Sequence, residues 1–438
     1  MQAGPAQSLW AATASAGPVL TLLAGALRAD VAVIGAGFTG LSAALHLGAA
    51  GRAVAIVDAA GLGERASGLN GGQVIPGVKT DPDPLEETFG PRRGARLVAA
   101  VASGPDLVYE LIAQHSIACD AVRSGWIQPA TSERALEQLA ARVAQWKRRG
   151  AAIELLSAAA VAQLTGTGSY CGGLLDRRGG TVQPLSYVRG LAAAVLRGGG
   201  RIFAHSPALR LTRAAREWRI EAPQGSLTAP SVIVATNAYS GALVGVLRRS
   251  IVTVPSFQVA TAPLPAALRA VILPGGQAAS DTRQLLRYFR LDAGGRFVLG
   301  ARGVFGTQAG PSSSRHHYRA VRELFPQLAG LGFEYHWGGL VAMTADHLPH
   351  LHELAPGLLA GLGYNGRGVA MATLMGRLLA QRTLGMSDEE LAFPVTPVRP
   401  IPFHGAASLA ARAAIQYLRA LELVTRTRDR LRGRASWT

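Results

Sequence analysis

Asp30–Ile34 (DVAVI) runs directly into Gly35, Gly37 and Gly40, and this junction restricts the chain to few folds. The run is short, apolar and rich in β-branched residues, which suits a strand buried on both faces of a parallel sheet. Leu41, Ala44, Leu45 and Leu47 then recur at helical spacing, Gly51 stops the helix, and Ala53–Val57 (AVAIV) makes a second buried strand ending in Asp58. Together these form a βαβ unit. Gly35 permits the tight turn, Gly37 lets the backbone approach a pyrophosphate, and Gly40 allows close helix packing. The helix N-terminus then presents unpaired N–H groups and the positive end of its dipole to the anion, without a lysine. Asp58, eighteen residues beyond Gly40, is placed to accept from a ribose hydroxyl.

NAD and FAD both satisfy that unit, so the choice rests on later segments. Ala66–Gln73 (ASGLNGGQ) is small and glycine-rich, and Tyr364–Gly368 (YNGRG) is a second glycine turn ahead of a helical run. Several remote segments of this kind wrap a permanently bound flavin rather than a nicotinamide that must leave, and Gly363, Gly366 and Gly368 can aim amides at such a ligand. Between them, residues 85–170 read as helical, 184–199 as a helix with a glycine stop, and Val232–Ala235 as another buried strand. Residues 251–340, rich in Val, Phe, Tyr and Gly, read as an antiparallel sheet.

Composition excludes other classes. With 49% hydrophobic and 16% charged residues the chain is too apolar for disorder, and Cys119 and Cys171 show no CxxC spacing, so neither a disulfide scaffold nor zinc is expected. Two isolated thiols, no basic region before Arg28 and no long apolar window predict a cytoplasmic protein without a signal peptide or membrane span. The net charge of +17 comes almost entirely from arginine, since Lys79 and Lys147 are the only lysines. It concentrates only at Arg399, Arg412, Arg419, Arg426, Arg428, Arg430, Arg432 and Arg434, where a solvated terminal helix is expected ahead of contact with RNA or anionic lipid. His347, His350 and His352 have prolines around them and no regular helix to present them, and no metal is expected there.

DVAVIGAGFTGLSAALHL, ERASGLNGGQ, SVIVATNAY, SDTRQLLRYFRL, WGGLVAMTADHLPHL and GYNGRGVAMATLMGRLLA together resemble the FAD-dependent oxidoreductases of the D-amino acid oxidase family, over roughly residues 8–405. SLWAATA, the DTR and YFR pair and VTPVRPIPFHG resemble a subgroup acting on a gamma-glutamylated diamine. The resemblance implies an α/β fold, with a Rossmann-type FAD-binding domain from 30–84, 155–240 and 341–385. It also implies an interleaved substrate domain, built on a mixed or antiparallel sheet, from 85–154 and 241–340. Residues 1–29 and 386–438 would be extensions, the latter carrying the basic helix. By position, Gly35, Ala36, Gly37 and Gly40 would hold the FAD pyrophosphate and Asp58 the ribose. Ser67, Gly68, Asn70, Gly72 and Thr236 would lie along the cofactor, with Gly366, Arg367, Gly368 and Val369 closing over the isoalloxazine. The family often has Glu where Asp58 stands and Gly where Asn237 stands.

Two departures narrow the implied chemistry. Amino-acid oxidases of the family carry an Arg soon after the WxG motif to clamp the α-carboxylate, whereas Val341 follows Trp337–Leu340 here; no Cys lies near Gly339, where related enzymes attach flavin. The resemblance therefore implies non-covalent FAD and a small-molecule amine whose reacting carbon bears no carboxylate, with electrons passing to oxygen or another acceptor. Gln73, Arg283, Tyr288, Arg290 and Trp337 are the expected substrate contacts, an Arg among them pairing with a remote carboxylate. No catalytic base is assigned. The competing readings are a D-amino acid or glycine oxidase, a flavin-dependent tRNA-modifying protein, and a membrane-surface dehydrogenase using the basic tail.

Overall fold

The computed structural model describes residues 8–303 and 309–406, together with 409, 410, 413 and 417. Most of the basic tail lies outside the described residues. Val31–Ile34, with all four side chains buried, sits inside a six-stranded sheet. Its order is His350–Ala355, Leu358–Leu362, Ser231–Val234, Val31–Ile34, Val54–Val57 and Arg201–Phe203, parallel except for the His350–Ala355 edge. The near-continuous apolar runs follow from burial on both faces. Val31, Val33, Val54 and Ile56 pack against the helices Phe38–Ala49, Pro184–Arg197 and Gly368–Thr383. Their neighbours Ala32, Ile34, Ala55 and Val57 pack with Ile220 and Leu227 of a separate four-stranded sheet. Period-two alternation thus divides one strand between two cores.

Gly40 makes the first helix contact possible: a Cβ there would lie 1.9 Å from the Gly35 carbonyl oxygen. Gly37 precedes the helix with no side chain to cap it, which leaves the N-terminus open toward the carboxyl ends of the parallel strands.

The second large sheet has eight strands, in the order Phe333–Met343, Val252–Pro263, Arg296–Arg302, Arg287–Leu291, Ala278–Ser280, Trp126–Ala130, Gly172–Asp176 and Ile153–Ser157. Every pairing is antiparallel except that between Ala278–Ser280 and Trp126–Ala130. Phe289, Phe297 and Phe325 pack ring against ring beneath it, with centroids 4.8–6.1 Å apart.

Two local expectations change. Residues 85–170 are not helical throughout, because Trp126–Ala130 (WIQPA) and Ile153–Ser157 (IELLS) are strands of this sheet. Both are short and interrupted by polar residues or proline, and the strong helical period of Glu133–Arg148 between them hides them. The span 155–240 is shared among sheets: Gly172–Asp176 joins the eight-stranded sheet, Ser231–Val234 the six-stranded one, and Arg210–Ala214, Glu217–Glu221 and Gly225–Ala229 the four-stranded one. Gly25–Arg28, from the presumed N-terminal extension, completes that last sheet in parallel with Gly225–Ala229.

The N-terminal helix Leu9–Thr13 fastens the layers. Ser8 caps it by accepting the Ala11 N–H at 3.1 Å, and Trp10 is fully buried, edge-on to Trp337 at 5.6 Å, with its Nε1–H donating to the Asn70 carbonyl at 2.7 Å. Among the described residues no helix is long and apolar enough to cross a membrane. Trp10→Ala is expected to lower the unfolding free energy by about 3–5 kcal/mol, and Trp10→Phe, which keeps most of the packing and loses the hydrogen bond, by about 1–2 kcal/mol. Urea unfolding of the three proteins checks both the size and the order.

Candidate active site

A cavity of about 1320 Å³ is lined from both large sheets. One end is built on Ile34–Thr39, Val57–Ala59 and Ala235–Tyr239, the carboxyl ends of three adjacent parallel strands. This is where open α/β sheets bind ligands. Asp58 fixes the glycine turn: Oδ2 accepts the Ala36 N–H at 2.6 Å and Oδ1 accepts the Ala60 N–H at 2.9 Å. Burial raises the Asp58 carboxyl above its ordinary value, against the pull of those two N–H groups. Ser67 Oγ accepts the Phe38 N–H at 3.1 Å, at the mouth of the helix N-terminus. Asn70 braces the ASGLNGGQ segment, donating from Nδ2 to the Ala66 and Ser67 carbonyls at 3.1 and 2.8 Å and accepting the Gly72 N–H at 2.8 Å.

The turn after the strand Ser231–Val234 is tied to the late glycine turn. Asn237 adopts φ +43° and its Oδ1 accepts the Gly363 N–H at 3.0 Å. Asn tolerates this left-handed region better than most residues, and its side chain adds a tether. Thr236 Oγ1 shares a hydrogen bond with Ser240 Oγ at 2.8 Å. Gly366, Arg367, Gly368 and Val369 line the cavity, where the helix Gly368–Thr383 begins. Arg367 donates to the Pro76 carbonyl and lies over the Trp126 ring at 5.3 Å. Gly40, Gly68 and Gly72 stand behind the wall rather than on it; a Cβ at each would meet Gly35 O, Gly63 O and Val182 O at 1.9, 2.0 and 2.2 Å.

The expected substrate contacts separate. Gln73, Arg283 and Tyr288 line the cavity. Gln73 is already engaged, donating to the Ala279 carbonyl at 3.0 Å and accepting from Ser280 Oγ at 2.6 Å. Arg283 is neutralised by Asp281 and by Glu323 at 3.6 Å, which leaves it little attraction for an arriving carboxylate. Tyr288 shares a hydrogen bond with Ser256 Oγ at 2.9 Å, and burial pushes its hydroxyl up to about 12.

Arg290 and Trp337 do not line the cavity. Arg290 is buried, donating from Nη1 to the Gly72 and Val182 carbonyls at 2.9 and 2.7 Å and sitting over Trp10 at 5.4 Å. Trp337 is fully buried against Trp10. Both are scaffold. The histidines of HxxHxH serve the fold as well: the His350 and His352 rings stack at 5.4 Å, and His352 bonds the Thr396 carbonyl at 2.7 Å. Among the described residues no group of three His, Cys, Asp or Glu can hold a metal.

The cavity meets the requirements of a dinucleotide. It exceeds the roughly 300–1,000 Å³ of ordinary small-molecule pockets. A Cβ at Gly366 or Gly368 would meet no atom within 4 Å, so that backbone faces open space. Gln258 donates to the Leu69 carbonyl at 2.6 Å, while its buried Oε1 on the cavity wall has no protein partner, an acceptor awaiting a ligand donor.

Residues 30–382 match the family model for FAD dependent oxidoreductases. The chain belongs to the FAD dependent oxidoreductase family. The oxidoreductase is 32% identical over 397 residues to gamma-glutamylputrescine oxidoreductase of Escherichia coli, covering 90% of this chain and 93% of that protein. It is likewise 32% identical to a probable oxidoreductase, OrdL, of Haemophilus influenzae, covering 90% of this chain and 92% of that one. The crystal structure of glycine oxidase from Geobacillus kaustophilus shares its fold with a TM-score of 0.67 at 21% identity, covering 86% of this chain and 98% of that one.

Sequence reasoning passed over Lys79, Ser256, Gln258 and Arg302, all on the cavity wall of the oxidoreductase. Lys79, one of two lysines, stands five residues after Val74, and Arg302 is a charge at the end of the apolar run FVLGA; each is a local signal visible in the sequence. Arg290→Met should cost about 1–3 kcal/mol of stability, because the Val182 carbonyl loses its donor and the Gly72 carbonyl keeps only the Val182 N–H. Chemical denaturation is expected to show that loss while KM of the folded variant stays unchanged; a raised KM at unaltered stability would return Arg290 to the substrate.

Proposed function

We propose that this oxidoreductase holds FAD non-covalently and oxidises a small amine, resembling the one named for its Escherichia coli relative, whose reacting carbon bears no carboxylate. Val341 carries the reading. It lines the cavity on the strand Phe333–Met343, where a two-pronged Arg clamp for an α-amino acid would otherwise stand. Cys119 and Cys171 both lie off the cavity lining, in keeping with an unattached flavin.

In this reading Ala36, Gly37 and Phe38 present the helix N-terminus to the pyrophosphate, with Ser67 beside it and Asp58 at the ribose. The backbone of Gly366–Val369 and the start of the following helix face the flavin ring, a positive dipole end that favours negative charge there. When bound, FAD accepts hydride from the carbon next to the substrate nitrogen. The chain's part is positioning: Trp126 and Tyr288 wall the cavity with aromatic surface, and Ile75, Leu286 and Val341 keep it apolar. The amine enters as its free base, since the nitrogen lone pair must assist the departing hydride, and the imine released hydrolyses to an aldehyde. Oxygen or another acceptor in the cytoplasm would take up the electrons.

A visible spectrum of the purified protein, followed by anaerobic mixing with amines and amino acids, tests the proposal. Gamma-glutamylputrescine is expected to bleach the flavin band and D-alanine to leave it; the reverse outcome rejects the reading. Asp58→Ala is expected to weaken FAD retention about 10–100-fold, from the loss of a charged acceptor, measured as flavin released on gel filtration with circular dichroism unchanged.

A further inference from the structure

One buried acceptor on the cavity wall lacks a partner. Gln258, 1% exposed, stands on the strand Val252–Pro263, between Gly300 and Trp337 of the two neighbouring strands. Its Nε2 donates to the Leu69 carbonyl at 2.6 Å, which fixes the amide, since the reverse orientation would set two oxygens against each other. Oε1 is left without a partner, alone among the buried side-chain acceptors of the described cavity lining. An acceptor buried in that way costs stability until a donor reaches it.

Gly71 borders this oxygen. A Cβ there would lie 3.7 Å from Gln258 Oε1 and 2.8 Å from Tyr288 Cε2, so a larger residue would press on the ring and crowd the oxygen. Tyr288 is held in place: its ring crosses Gly300, where a Cβ would meet Cζ at 1.9 Å, and its hydroxyl shares a hydrogen bond with Ser256 Oγ at 2.9 Å. Gln258, Gly71 and Tyr288 thus bound a recess with one neutral acceptor and one aromatic wall. No carboxylate competes for the donor. Of the acids that line the described cavity, Asp58 accepts the Ala36 and Ala60 N–H groups, Asp81 is paired with Arg142, and Asp281 with Arg283.

We propose that Gln258 Oε1 accepts the N–H of the substrate amine and holds the reacting nitrogen in place. The proposal rests on the amine-oxidation reading and adds to it the residue that recognises that nitrogen. Gln258 and Tyr288 belong to the eight-stranded sheet, whereas the turns read as facing FAD follow strands of the six-stranded sheet, so the donor is assigned to the substrate. A carboxylate in this position would favour the ammonium, whose lone pair is taken by a proton; an amide oxygen accepts N–H and leaves the pair free. As hydride leaves the adjacent carbon, that pair forms the C=N bond, the nitrogen becomes positive and its N–H donates more strongly. The hydrogen bond therefore tightens in the transition state and raises the rate of oxidation more than the affinity.

Anaerobic rapid mixing of the holoenzyme, wild type and Gln258→Met, tests this with gamma-glutamylputrescine and with its terminal N,N-dimethyl analogue, which as free base has no N–H on the reacting nitrogen. Gln258→Met is expected to lower the limiting rate of flavin bleaching by gamma-glutamylputrescine about 10–100-fold, with its dissociation constant changed under about threefold, and to leave the dimethyl amine within about threefold of wild type. Equal slowing of both amines, or slowing of neither, overturns the role of Gln258 while the amine-oxidation reading stands. A wild-type flavin that no amine bleaches rejects both. A crystal structure of dithionite-reduced wild-type holoenzyme with gamma-glutamylputrescine decides even where the variant loses flavin or the dimethyl amine does not react. The terminal nitrogen within about 3.2 Å of Gln258 Oε1 supports the proposal, and a water or a flavin atom in its place overturns it.

Discussion

The packing of Gly40 on the Gly35 carbonyl is the contact from which the remaining geometry follows. Because no Cβ fits there, the helix Phe38–Ala49 can begin directly off the end of the strand Val31–Ile34, and its first residues line the cavity. Asp58 locks the turn from the neighbouring strand and Ser67 closes it from the following segment. The late helix Gly368–Thr383 crosses the first one so that Ser42 Oγ donates to the Thr373 carbonyl at 2.7 Å, and Tyr364 Oη meets Thr39 Oγ1 at 2.6 Å. Two helix N-termini, hundreds of residues apart in the chain, are thereby brought to a single cavity. A ligand with a phosphate group and an electron-accepting ring draws on both.

The eight-stranded sheet plays the complementary part. Its apolar face is closed by a phenylalanine cluster and its other residues present polar groups to the cavity, namely Ser256, Gln258, Tyr288 and Arg302. Two of its cations and those around it are held differently. Arg283 and Arg287 share Glu323, so their charge is spent within the fold. Lys79, half-buried on the same cavity wall, has its ammonium pushed down to about 8 by burial and by the nearby charges of Arg302 and Arg367.

Much of this was legible along the chain. The first βαβ unit, the buried strand Ser231–Val234 and the glycine turn before Gly368 are local patterns, and each lies where its pattern indicates. The strands Trp126–Ala130 and Ile153–Ser157 were not legible, because five residues with a proline or two polar positions carry too little periodicity to outweigh a sixteen-residue amphipathic helix between them. Trp337 illustrates a different loss. Its motif marks the right strand, yet alternation along that strand turns the indole away from the cavity and into Trp10.

By itself the sequence determined the nucleotide end, since turn, strand and helix N-terminus are made by consecutive residues whose spacing dictates their geometry. Which arginine faces a ligand was decided only by tertiary structure. Arg290 is satisfied by carbonyls 108 and 218 residues away, and Arg283 by Asp281 beside it and Glu323 far along the chain. A guanidinium carries the same charge wherever it stands; whether that charge remains available depends on acceptors that only the folded chain brings within reach.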